Sequence, residues 1–198
     1  MKMSLSGWFQ RGAKKKRKAP APRAVSTATT AIVAWVDGEG TPRSAKAMLG
    51  ERFEGGIDLG LGYKVPVDTP LWLLSEDGFE RVASVHFCGG ESGHYSVRVG
   101  FLDGDPPEAE ESPESSRMRW IEGASRIVGC PVSFENGEAG NLTVTMAEAV
   151  PVPSVVLLTG GGYQCLGSVG GCDEEKDSWV ANVKVISDAY PRPGLQAA

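Results

Sequence analysis

The residue types able to do chemistry are few here, and their spacing does not suit catalysis. Only two histidines are present, His86 inside a strand-like run and His94 beside a turn glycine. Both read as packed or solvated side chains rather than as a proton-transfer or metal site. The four cysteines, Cys88, Cys130, Cys165 and Cys172, show no CxxC spacing. They read as reduced, mostly buried thiols and not as zinc ligands. Carboxylate pairs such as Glu110-Glu111 and Glu174-Glu175 lie in polar runs and read as solvated surface. Gly160-Gly161-Gly162 sits between Leu158 and Tyr163, where a hairpin turn is expected rather than a phosphate loop. The sequence has no Walker loop, GxSxG, HExxH or GxGxxG motif. The expectation is a protein that is not an enzyme and has no resident metal or cofactor.

The concentrated chemistry is cationic. Between Arg11 and Lys18 stand Arg11, Lys14, Lys15, Lys16, Arg17 and Lys18, with no acid among them and with Trp8 and Phe9 just before. Residues 1–22 read as a basic, solvated leader ending in the Ala/Pro spacer Ala19–Pro22. Such an arm suits an anionic ligand, or weak contact of residues 8–18 with an anionic membrane surface. The whole chain carries a net charge of -5, so DNA or RNA is not an expected partner. No apolar run approaches the length of a membrane span. Lys14–Lys18 followed by Ala24–Val36 imitates a signal peptide, but Ser26, Thr27, Thr29 and Thr30 interrupt the run. The expected location is the cytoplasm, with peripheral contact at the inner membrane.

The elements that must position these groups are strands. Gly 26 and Pro 13 are high for a helical protein and suit many short strands joined by turns. Ala31–Val36 is a β-rich run ended by Asp37-Gly38, and Arg43–Leu49 follows. Glu54-Gly55-Gly56 turns the chain into Ile57, Leu59 and Leu61, which alternate as one face of a strand. Leu71–Leu74, the Asp77-Gly78 turn, and a hairpin of Phe79–Phe87 with Tyr95–Phe101 complete a small antiparallel barrel over residues 23–104. An acidic, Pro-rich separator follows from Asp103. Residues 105–118 read as linker and helix start, with Ser112 as cap, Pro113 in the first turn and Gly123 as the stop.

The second half repeats the first. Leu73-Leu74 recurs as Leu157-Leu158, Gly78-Phe79 as Gly162-Tyr163, and Ser84-Val85 as Ser168-Val169. Cys88 recurs as Cys172, Tyr95 as Trp179 and Val99 as Val183, all at one offset of 84 (172 − 88). Upstream, Asn136-Gly137 resembles Asp37-Gly38 only at a different offset, so the second copy is expected to lack the stretch around Glu51–Leu61. The fold expected is therefore all-β: two small antiparallel barrels in tandem, a short helix between them, the second barrel over residues 119–190 and a tail over 191–198.

The first unit resembles the PilZ family of small β-barrels. The residues that carry the resemblance are Trp35-Val36-Asp37-Gly38, Pro42-Arg43-Ser44-Ala45, Glu51–Leu59, and Val97-Arg98-Val99-Gly100-Phe101 as the closing strand. The resemblance implies a bacterial regulator that binds cyclic di-GMP. The family does this with an RxxxR pair at the N-terminal edge and a [D/N]xSxxG turn. Guanidinium groups hold phosphate in bidentate fashion and stack on guanine, short polar side chains bond the base edge, and glycine admits close backbone approach. Carried over, the arm residues are Arg17, Lys18 and Arg23, and the turn residues are Glu51, Arg52, Phe53 and Gly56. This chain departs from the pattern. Glu51 stands at the Asp/Asn position and Phe53 at the Ser position, and only Gly56 matches. Arg17 and Arg23 are separated by five residues and Lys18 and Arg23 by four, where the family has three. Two functions follow as expectations: a cyclic di-GMP receptor with a degenerate motif, or a ligand-free barrel that docks a protein partner or membrane surface.

Overall fold

The computed structural model describes residues 28–102, 115–137, 140–187 and 190–191. Six strands make the first sheet: β1 (Thr30–Val36), β2 (Pro42–Phe53), β3 (Gly56–Leu61), β4 (Pro70–Ser75), β5 (Glu80–Glu91) and β6 (His94–Phe101). They close in the order β1-β2-β3-β6-β5-β4, each pair antiparallel. Seven more follow: β7 (Arg117–Glu122), β8 (Arg126–Asn136), β9 (Asn141–Met146), β10 (Ser154–Gly160), β11 (Tyr163–Glu175), β12 (Ser178–Val185) and the short β13 (Tyr190–Pro191). Their order is β10-β7-β8-β9-β12-β11, closed by a β10–β11 pairing, with β13 added at Tyr163 and Gln164 of β11. The second ring thus has the connectivity of the first, strand for strand. Closure leaves no free sheet edge within either ring.

Each ring is filled by the inward residues of its alternating strands. Val33, Trp35, Ile57, Leu59, Leu71, Leu73, Val85, Val97 and Val99 fill the first. Met118, Trp120, Val144, Met146, Val156, Leu158, Val169 and Val183 fill the second. A third apolar cluster lies outside both rings and joins them. Ala34, Trp72, Leu74 and Val82 from the first meet Val155, Leu157 and Leu166 from the second. Trp72 Nε1 donates to Val155 O at 3.2 Å, and Gln164 Nε2 donates to Gly78 O at 2.5 Å.

The duplication is borne out, and its register is corrected. From β5 onward the offset of 84 holds. Cys88 faces Val97 as Cys172 faces Ala181, and Tyr95 faces Gly90 as Trp179 faces Glu174. Even the bulge repeats, at His86 in β5 and at Gly170 in β11. Before β5 the offset is 85 (120 − 35). Trp35 faces Arg43 as Trp120 faces Val128, and Ile57 faces Val99 as Leu142 faces Val183. Leu73 therefore corresponds to Leu158 and not to Leu157. Leu73 and Leu158 point into their barrels, whereas Leu157 points into the joint between them. Four residues lie between Ser75 and Glu80 but three between their counterparts Gly160 and Gln164, and this absorbs the change.

Two further expectations are overturned. The expected helix after Ser112 is not formed over its described part. Arg117–Glu122 is strand β7, with Met118 and Trp120 inward and Ile121 outward, because it closes the second ring between β8 and β10. Nor does the second copy lack the Glu51–Leu61 stretch. Its counterpart is β8–β9, and Asn136-Gly137 lies at the β8–β9 connection. The β5–β6 hairpin turns at Ser92-Gly93, and Gly89-Gly90 lie within β5. The glycine run behaves as expected: Gly161 and Gly162 have φ of 58° and 80° and join a two-residue hairpin. Of the four free cysteines only Cys130 is buried, and the other three are half-buried. No helix among the described residues is long and apolar enough to cross a membrane.

Candidate functional site

The turn singled out by sequence lies at one end of the first barrel, where β2 passes into β3. Leu49 pairs with Leu59 and Arg52 with Ile57, so Gly50 and Glu51 together face Asp58 as a bulge. Phe53 pairs with Gly56 across the two-residue turn Glu54-Gly55, and Gly55 takes φ 78°. Gly56 in turn pairs with Gly100 of β6. The bulge and turn thus bring Glu51, Arg52, Phe53 and Gly56 onto one corner, with Glu51 and Arg52 exposed.

Gly56 is glycine for a local reason. A Cβ there would lie 2.2 Å from Val99 O and 2.3 Å from Phe53 Cζ. The Phe53 ring therefore lies across the glycine that an approaching ligand would use. Arg98 covers the same ring, its guanidinium carbon 5.1 Å from the centroid. Asp58 holds that guanidinium in place, accepting from Nε at 2.8 Å and from Nη2 at 3.0 Å. The hydrogen bond, and then the charge of Arg98, hold the Asp58 carboxyl below its ordinary value. Arg98 is raised by the same bond, and the charge of Glu51 adds to the effect.

Further guanidinium groups gather beside this corner. Arg81 lies 4.7 Å from the Phe79 centroid and Arg52 lies 5.3 Å from it. Phe79 meets Phe101 edge to face at 6.3 Å, and Arg81 also lies 5.9 Å from Phe101. The barrel end is therefore an arginine–aromatic cluster of Arg52, Arg81 and Arg98 with Phe53, Phe79 and Phe101. Arg81, Phe79, Phe101 and the role of Arg98 were not legible as site residues. They converge only through the β3–β6–β5 pairing. The one signal in the sequence was that Arg98 and Phe101 belong to the closing strand.

Arg17, Lys18 and Arg23 lie outside the described residues. The described chain begins beside the bulge, however: Thr29 O accepts from Leu49 N at 2.8 Å. Among the described residues of the corresponding corner in the second barrel, the β8–β9 pairing runs from Val132↔Met146 to Asn136↔Leu142 without a bulge. Among the described residues no group of His, Cys, Asp and Glu could hold a metal ion.

No family model matches this sequence, and no curated protein matches it. Among solved structures, the chain is similar to one described as Bacillus subtilis inhibitor of motility (MotI/DgrA). The identity is 6%, the match covers 82% of this chain and 90% of that one, and the TM-score is 0.33.

Proposed function

We propose that this chain is a non-enzymatic regulatory module, a joined pair of PilZ-like barrels that acts by presenting its surface to a partner, and that its nucleotide turn is closed by its own Phe53. The observation that carries this reading is the Phe53 ring lying on Gly56 and clamped there by Arg98. A turn of the family pattern needs a small hydroxyl at that position and an open glycine. Here an aromatic ring fills the space. The Arg98–Asp58 pair then holds one of the local cations, so it already has a carboxylate partner.

A second reading, a cyclic di-GMP receptor, is favoured by one specific observation. The chain enters at Thr29 beside the bulge, so Arg23 lies six residues from a backbone bond to β2. Six residues span about 20 Å, long enough for an arm starting there to meet the Glu51–Gly56 corner, where Arg52 stands. Calorimetric titration of the full chain with cyclic di-GMP at two salt concentrations separates the two. The module reading expects no heat from the wild type and binding gained in Phe53→Ser. Saturable, salt-sensitive binding by the wild type, lost by about 1.5–3 kcal/mol in Arg23→Ala or Arg52→Ala, would overturn it in favour of the receptor.

A further inference from the structure

A groove of about 540 Å³ runs along the outer face of β3, adjoining the arginine–aromatic corner at Gly50 and Asp58. Its floor is Gly60 and Gly62. Lys46 and Met48 of β2 form one wall, and His94 and Ser96 of β6 form the other, with Tyr95 at its end. Met48 is 70% exposed, which is unusual for so large an apolar side chain.

The barrel itself does not require these two glycines. A Cβ at Gly60 would make only ordinary contact, 3.6 Å from Met48 Cβ, and one at Gly62 would be 4.0 Å from Gly93 O. Neither has a positive φ. At the matching positions the second barrel carries Thr145 and Ala147. Glycine weakens a strand, and where the backbone does not demand it, it leaves room for another chain or ligand to approach.

The occupant's chemistry follows from the floor. At Leu59 and Gly60 the backbone is paired to β2 on one side and to β6 on the other, so this part of the floor offers no donors or acceptors to a guest. The charged neighbours are engaged: Asp58 with Arg98, and Lys46 with Glu76 at 3.9 Å. A guest that fits is therefore small, extended and free of backbone hydrogen-bond demand, which describes a polyproline II segment lying beside the Met48 thioether and the His94 ring. The sequence holds an Ala/Pro run of matching composition. Ala19-Pro20-Ala21-Pro22 ends six residues before Ala28, and the described chain begins beside Leu49 at the edge of this groove. Six residues reach about 20 Å. Four residues of polyproline II cover about 12 Å, and Asp58 to Gly62 spans about 13 Å of strand. Tethering makes the contact intramolecular and raises its effective concentration.

We propose that this groove receives the chain's own Ala19–Pro22 segment, laid along β3 over Gly60 and Gly62. The inference is independent of the nucleotide reading, and its test contains no nucleotide. The full chain is digested briefly with trypsin. The bonds after Lys18 and Arg23, which flank the segment, should be cut about tenfold more slowly than the bond after Arg11, because cleavage follows the open population. In Gly60→Val the difference should vanish while the melting temperature stays the same or rises. Equal cutting at all three bonds in the wild type, or protection that survives in Gly60→Val, overturns the proposal. Amide NMR of the intact chain gives a second reading: Pro20→Gly/Pro22→Gly should shift Gly60, Gly62 and Ser96. If those signals do not move, the proposal fails.

Discussion

Glu80 of the first barrel accepts a hydrogen bond from Arg119 Nη2 of the second, an ion pair whose arginine side chain is only 9% exposed. By register, Arg119 corresponds to Ala34 in the first barrel, so the duplicated units have diverged where they touch. Trp72 lies beneath this pair, its ring 5.9 Å from the Arg119 guanidinium carbon. The apolar joint, the Trp72–Val155 bond and the ion pair couple the two rings. Trp72→Ala should cost about 3–5 kcal/mol, as for a buried large-to-small change. It should also split a single denaturant transition into two. One transition with an unchanged midpoint would show that the barrels are not coupled through this joint. Arg119→Ala should destabilise more than Arg119→Met, because methionine keeps the packing over Trp72 while both remove the charge.

Gly56 and Gly60 lie four residues apart on one strand and should respond in opposite ways. Gly56→Ala drives a methyl group into Val99 O and the Phe53 ring. It should cost about 1–3 kcal/mol in chemical denaturation, as overpacking does. Adding Phe53→Ser removes the ring clash but not the carbonyl, so rescue should be partial. Gly60→Val should be neutral or stabilising. Full tolerance of Gly56→Ala would contradict the closed corner.

Acid should weaken the first barrel through two carboxylates. Asp58 is held below its ordinary value of 3.8 chiefly by its bond to Arg98, and Asp37 chiefly by its bond to Arg43 at 2.7 Å. A carboxyl depressed in the folded state contributes stability that is present above 3.8, the ordinary value expected of the unfolded chain. That stability is lost as pH falls through the lower folded value. Stability should therefore be level at neutral pH with respect to these groups and fall below 3.8. Asp58→Asn and Asp37→Asn should each flatten the acid limb of a pH series. A limb as steep as wild type in the double variant would remove these pairs as its cause.

Thiol labelling should follow burial. Cys130 is buried, and desolvation pushes its thiol up to about 11. Burial also raises Cys165. With a maleimide at pH 8, native protein should label at Cys88 and Cys172 first, and Cys130 should react only after denaturation, since the thiolate is the nucleophile. Rapid native labelling of Cys130, read by mass spectrometry, would mean that the second ring opens readily.

The alternation of Ile57, Leu59 and Leu61, the glycine-marked turns, and the recurrence of Cys88 and Tyr95 as Cys172 and Trp179 were enough, by themselves, to determine two related all-β units. Strand periodicity and turn chemistry are local, and a hairpin exposed on one face carries them in plain view. The register of β4 was not legible. Leu71–Leu74 and Val155–Leu158 are apolar on both faces, because one face fills a ring and the other fills the joint between rings. Without alternation nothing in the sequence distinguishes Leu157 from Leu158 as the partner of Leu73, and the slip hid the matching of Trp35 with Trp120. Ser112, Pro113 and Gly123 likewise suited a helix, and ring closure of Arg117–Glu122 against β8 and β10 decided for a strand. At the corner, the sequence placed Phe53 and Gly56 in one motif. Only the tertiary structure laid the ring on the glycine and brought Arg98, Arg81 and Phe79 to it, since those contacts join residues far apart in the chain through strand pairing.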